Sequence, residues 1–337
     1  MSYKRFDLED IVVSSDAITA PAWSNNVTQL TEFYTSSTQV AAASANYYYN
    51  IYQTGSGESN AAVQFSIAHG NRSGSAAPAY DSSVSSSYSS TVYGQFRTLV
   101  FGDEDTDFTF ATGSSTSTPD DVLFISVERA RYKERIFPGS LFLTLKSGSN
   151  NLHLTDNSLT ASTDTFVDGG RVYSIYSASA AGAVASTDIE YGKLFPDVGV
   201  IALNGQFLSG STHLGTKWVH VTGSGLHNYT GATRNNLQFF KSIEAGQNFK
   251  LRSQETVSSN YVFIRARNSE FNYSNNPSNI TGSGELRHSV MIDTPQSYIT
   301  AVGLYNDNND LLAVAKLSTP LLKDFTKEAL IRVKLDY

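Results

Sequence analysis

The chain has 337 residues, room for about two domains of ordinary size or for one large β domain. Charged residues make up 16%, against roughly 25% in an average soluble protein, and Asp plus Glu (31) outnumber Lys plus Arg (24), for a net charge of -7. A broad nucleic-acid groove and a polybasic membrane anchor both need clustered Lys and Arg, so neither fits this balance. With no cysteine, disulfides, a Cys nucleophile and thiolate metal sites are excluded.

From the start, Met1 to Asp10 carry positive charge with no apolar stretch behind it, and no run is long enough to span a membrane. Synthesis without a secretory signal, and assembly in a cytoplasm, are the expectation. Short β-branched and aromatic runs then alternate with Gly/Ser/Asn clusters, the rhythm of strands and turns. Strands are expected at residues 47–53, around a Tyr triplet, and at 63–68, where Val63, Phe65 and Ile67 alternate with polar positions. Tyr88, Val92, Phe96, Leu99 and Val100 form a helical stripe, which puts a helix near 84–101. A strand at 123–127 leads into a charged helical turn at 128–135, closed by Pro138-Gly139. Further strands are expected at 141–146, 171–176, 198–203 and 217–221, and a helix at 235–245 that stops before Gly246. Strands at 261–267 and 299–305 follow. The latter faces 311–317 across the Asn/Asp-rich residues 306–310, which reads as a hairpin. Pro320, Leu321, Leu322 and Phe325 suggest a turn or short helix. Ile331, Val333 and Leu335 alternate in a final half-buried strand.

The fold class that follows is mainly β with a few short helices, a β-rich α+β protein of several subdomains. Ser/Gly clusters at 147–151 and 178–186 mark the candidate seams. The expected organisation is an N-terminal arm (1–26), a first β-rich lobe (27–150) and a second (151–337) that ends in the hairpin and final strand.

No constellation for catalysis emerges. Asp103, Asp105 and Asp107 alternate as in the first half of a calcium loop, but Phe108 and Ser114 stand where such a loop needs Gly and Glu. A solvated acidic turn is expected, although the residue pattern alone does not decide whether the turn takes up a cation. The same carboxylates are the one dense candidate for a glycosidase pair. His213, His220 and His227 are spaced by seven, which alternates faces on a strand, and the glycines between them oppose a helix. His69 and His288 read as isolated turn residues. There is no nucleophile elbow, phosphate loop or dinucleotide fingerprint. Arg265, Arg267, Phe271 and Tyr273 interleave basic and aromatic character, which fits a protein contact better than stacked bases in so acidic a chain. No catalytic, cofactor or metal residue is therefore assigned. Nineteen Tyr and nineteen Phe on a charge-poor chain match the composition of interface cores, and equally that of pleated strands.

Several stretches resemble virion proteins of contractile-tailed phages, especially T4-like phages of cyanobacteria. They are VQFSIAHGNRSG (63–74), TVYGQFRTLVFGDEDTDF (91–108), ISVERARYKERIFPGSLFLTL (125–145), YGKLFPDVGVIALNG (191–205), FIRARNSEFNYSNNPS (263–278) and the whole of residues 298–337. The order of the early part also resembles the baseplate wedge subunit that forms dimers. This resemblance implies a non-enzymatic structural subunit of the tail, located in the virion and assembled in the host cytoplasm. Its implied partners are other baseplate and tail proteins; a homodimer is one arrangement allowed, and nucleic acid and membrane are not expected. The arm at 1–26 and the Gly/Ser loops would order on assembly, with Trp23 either an anchor for a neighbour or a seal on its own core. A tail-fibre or other glycan-binding virion protein, a head or neck protein, and a polysaccharide hydrolase are the competing readings.

Overall fold

The computed structural model describes residues 4–36, 48–74, 89–209, 235–274 and 276–336. Strand accounts for 49% and helix for 16%, so the protein is mainly β with short helices, as its composition predicts. The chain divides into two compact units, Ile18–Glu255 and a smaller one built from Met1–Ala17 with Thr256–Tyr337. The division does not fall at residue 150. That position is the turn of a tight hairpin whose strands pair residue for residue, so the chain cannot part there. The second expected seam is also a hairpin turn. Nor are residues 1–26 a free arm. Ile11–Pro21 form strand β1, and the large unit begins within it, at Ile18.

The large unit is built on one large antiparallel sheet covered by helices, with Phe110–Thr112 and Ser115–Ser117 forming a separate two-stranded sheet. Its strands are β2 (Gln29–Leu30), β3 (Tyr34–Thr35), β4 (Tyr48–Tyr52), β5 (Val63–Asn71), β6 (Phe110–Thr112), β7 (Ser115–Ser117), β8 (Asp121–Val127), β9 (Arg135–Ile136), β10 (Phe142–Ser147), β11 (Asn150–Asp156), β12 (Thr165–Val167), β13 (Gly170–Ala180), β14 (Ala183–Ser186), β15 (Gly192–Phe195), β16 (Val200–Asn204) and β17 (Phe249–Lys250). The main sheet runs β2-β17-β10-β11-β13-β15-β16-β8-β5-β4-β3, with β12 and β14 added on β13. Its middle strands are apolar at nearly every position, and every residue of β16 is buried, which requires cover on both faces.

Helix α1 (Ser89–Phe101) supplies one cover. Phe96 stacks on Phe124 at 4.2 Å, and Gly70 lies so close that a Cβ there would come within 3.0 Å of the Tyr93 backbone. The expected stripe holds for Val92, Phe96 and Val100. Leu99 is half exposed, and buried Tyr93 takes its place; Tyr88 lies outside the described residues. The helical turn expected after residue 127 is α2 (Arg129–Tyr132), and α3 (Gly205–Ser209) follows β16 directly. Helix α4 (Asn235–Gly246) buries Leu237, Phe239, Phe240 and Ile243. It does not stop before Gly246, as expected. Gly246 completes the helix because a Cβ would strike the Thr144 carbonyl, and Gln247 takes the left-handed turn at φ 51°. Trp23 sits in this core, donating its indole N–H to the Phe249 carbonyl at 3.0 Å with its ring 4.9 Å from that of Phe249.

The small unit contains β18 (Arg252–Ala266), short helix α5 (Val290–Asp293), β19 (Gln296–Tyr305), β20 (Leu311–Asp324) and β21 (Ala329–Asp336). One sheet is ordered β1-β18-β21; the first residues of β18, Arg252–Glu255, belong to the large unit, and there Ser253 and Gln254 pair with β9. The expected hairpin is β19–β20, with Asn309 left-handed at its tip. Residues 320–322 are strand rather than turn or helix. The register jumps from Ile299↔Leu321 to Ala301↔Lys316, so Pro320 sits in a bulge, where its missing N–H breaks no ladder bond.

Candidate assembly surface

The small unit has little to bury. Val262, Leu304 and Val333 are its buried cluster, with Ile264, Val302, Ala313, Ala315, Ile331 and Leu335 half-buried around them. The alternation of β18 and β21 turns one face of their sheet into that cluster. The opposite face gathers Tyr261, Phe263 and Arg265 across from Lys334, Arg332 and Leu330. The Arg332 guanidinium lies 5.5 Å from the centre of the Tyr261 ring and the Lys334 ammonium 5.8 Å, cation–π contacts worth about 0.5–1 kcal/mol each when exposed. Asp336, 3.0 Å away, raises the pKa of Lys334, with a smaller contribution from Asp16 on β1.

Apolar side chains remain outside. Fourteen of the twenty exposed large hydrophobics among the described residues belong to this unit, which holds under a third of the chain. Val13 is 71% exposed, Leu312 68%, Tyr298 63% and Leu330 63%. On the hairpin, Gly303 leaves room for the Tyr305 ring, which lies over it next to Leu311.

One buried cation stiffens this surface. Lys323 is completely buried, and its ammonium donates to the carbonyls of Asn268 (3.0 Å) and Asp324 (2.9 Å) and to Asn272 Oδ1 (2.8 Å). The Ser297 hydroxyl donates to the Phe271 carbonyl, fixing the left-handed Phe271 beside it. The basic–aromatic residues singled out in the sequence are thereby dispersed. Arg265 joins the outer sheet face, 3.7 Å from Asp10. The Arg267 backbone N–H donates to Glu270, Phe271 is half-buried and Tyr273 is exposed. They form no stacking platform.

The large unit holds the remaining candidates. Asp103 accepts from the backbone N–H groups of Thr106 and Asp105 and from the Thr106 hydroxyl, which holds its carboxyl below the usual range. Asp107 turns the other way, 2.8 Å from Arg72 and 3.6 Å from Arg97, and accepts from the Tyr93 hydroxyl, whose pKa is pushed up to about 12, chiefly by burial. Asp103 and Asp107 thus serve different partners, and the described residues contain no group of three or more His, Asp or Glu arranged to hold a metal ion. His69 is not a turn residue. It lies in the buried second half of β5, with Nε2 2.8 Å from Asp121 Oδ1, an oxygen that also accepts from Asn71 Nδ2 at 2.7 Å. His288 is exposed outside any strand, and residues 213, 217–221 and 227 lie outside the described residues. Sequence reasoning missed Asp156 altogether. It is buried beside the turn at Gly139, and burial raises its carboxyl pKa although Gly139 N–H and the Ser158 hydroxyl both donate to Oδ2. No local pattern marks it.

Comparison with known proteins returns no match. No family model fits the chain, and no curated protein and no solved structure is similar to it at a significant level. The surfaces themselves therefore carry the functional reading. No helix among the described residues is long and apolar enough to cross a membrane.

Proposed function

We propose that this chain is a non-enzymatic structural subunit of a phage contractile tail, a baseplate wedge component that holds neighbouring tail proteins together. The observation that supports this reading is the concentration of exposed apolar side chains on the small unit, beside a core of three buried residues. Water-exposed patches of that kind mark protein contacts. Two of the six stretches that resemble virion proteins, residues 263–278 and 298–337, lie in the same unit, and the other four lie in the large unit. Stable contacts of this sort bury roughly 1,200–2,000 Å² in total, a scale suited to two exposed sheet layers.

Mass spectrometry of virions separated into heads and tails tests the proposal. The chain is expected in tails only, and lost from tails stripped of their baseplates. Recovery from heads would overturn the baseplate role, and absence from both fractions would overturn the virion assignment.

A further inference from the structure

The small unit is short of core, and without cysteine no disulfide can close it. Units that bury little apolar surface are often held by a covalent cross-link or a metal instead. Inside this one, a lysine amine and an asparagine amide face each other. Lys323 on β20 is 0% exposed, and Asn272, in the loop after β18, is 5% exposed. Lys323 Nζ lies 2.8 Å from Asn272 Oδ1. The Asn268 carbonyl draws both nitrogens to one point, accepting from Lys323 Nζ at 3.0 Å and from Asn272 Nδ2 at 2.6 Å. A C=O bond of about 1.2 Å added to the 2.8 Å contact puts Asn272 Cγ no more than about 4.0 Å from Nζ, against roughly 3–3.5 Å in a near-attack arrangement.

We infer that Lys323 and Asn272 join in an isopeptide cross-link. A lysine nucleophile attacks as the neutral amine. Its lone pair forms a bond from Nζ to Asn272 Cγ, the Cγ–Nδ2 bond breaks, and Nδ2 leaves as ammonia. The proton that the lysine ammonium gives up goes to the leaving nitrogen, so an ammonium and a primary amide become a secondary amide and an ammonium ion. Nothing is oxidised or reduced, and no co-reactant is needed. The Asn268 carbonyl, freed of Nδ2, and the Asp324 carbonyl, 2.9 Å from Nζ, remain as acceptors for the single N–H of the link. Burial of both groups keeps water from hydrolysing the amide first. Among the described residues no carboxyl group bonds to either side chain to carry the proton. General acid–base help of that kind is worth roughly 10²–10⁴-fold, so the link forms slowly, after folding. It ties the loop after β18 to β20 and closes residues 272–323 into a ring, which restricts the unfolded chain as a disulfide would. The chemistry is independent of the tail assignment.

Intact-mass spectrometry of the full chain reads the reaction. Held folded for days at neutral pH, the chain is expected to fall below its sequence mass by one ammonia, about 17 Da. A tryptic digest should then carry residues 272 and 323 in one branched peptide. Chain held in urea for the same time should give the two peptides separately, because the nitrogens meet only in the fold. Lys323→Met, which keeps the length of the side chain and removes the amine, should retain Asn272 intact. Ring closure of Asn272 onto its own backbone also expels ammonia but needs no lysine. A loss at Asn272 that persists in Lys323→Met would therefore overturn the cross-link, as would separate peptides from the incubated parent chain. Should Lys323→Met fail to fold, the digest of the parent decides alone, linked or separate.

Discussion

Trp23 decides whether the first residues of the chain hold a neighbour or hold the fold. Its ring is 2% exposed, packed 4.9 Å from Phe249 and 5.9 Å from Phe65, with its N–H on the Phe249 carbonyl. Trp23→Phe removes that hydrogen bond, a net loss of about 1 kcal/mol. It also removes the five-membered ring from a packed site, and the lost contacts and residual cavity add roughly 1–2 kcal/mol. The expected total is roughly 2–3 kcal/mol, and Trp23→Ala should cost roughly 3–5 kcal/mol. For a unit of this size the smaller change lowers the melting temperature by roughly 5–10 °C. Urea unfolding followed by circular dichroism gives the free energy directly. A loss under about 1 kcal/mol for Trp23→Ala would be surface behaviour and would refute the placement of Trp23 in the core.

Asp156→Asn tests the buried carboxyl. Its folded pKa is raised, so the folded chain binds more protons than the unfolded one above the unfolded value of about 3.9, and stability falls as pH rises through the folded pKa. The variant should therefore gain stability relative to the parent as pH increases, and urea midpoints from acid to neutral pH check the sign. Gly70→Ala inserts a methyl between β5 and α1, against Phe124 and the Tyr93 backbone, and should cost roughly 1–3 kcal/mol with the helix content retained, as read by calorimetry and circular dichroism.

The elements legible in the sequence were those fixed by local pattern. The alternation of Val63, Phe65 and Ile67, the spacing of Val92, Phe96 and Val100, and the Asn306–Asp310 turn each carry their own signal, and each forms the element expected of it. What could not be read depends on distant pairing. β1 joins β18 across more than two hundred residues, so nothing near Ile11 announces that the chain start belongs with its end, and the unit boundaries were misplaced accordingly. Pro320 looked like a stop because a bulge is invisible without its partner strand. Lys323 and Asp156 are polar residues whose burial is decided by loops that close over them from elsewhere. The candidate surface was legible only as composition, an excess of Tyr and Phe over charge, without the face on which it gathers.

The interleaving of chain start and chain end also sets a clock on biosynthesis. At roughly 5–20 residues per second, β1 leaves the ribosome roughly 10–50 s before β18 is made to pair with it, and β21 comes later still. A chain cut short anywhere before β21 lacks the last strand of that sheet. That sheet is therefore completed only once residues 329–336 have been made. During the wait, the bare apolar β1 is the segment of the nascent chain most in need of a chaperone.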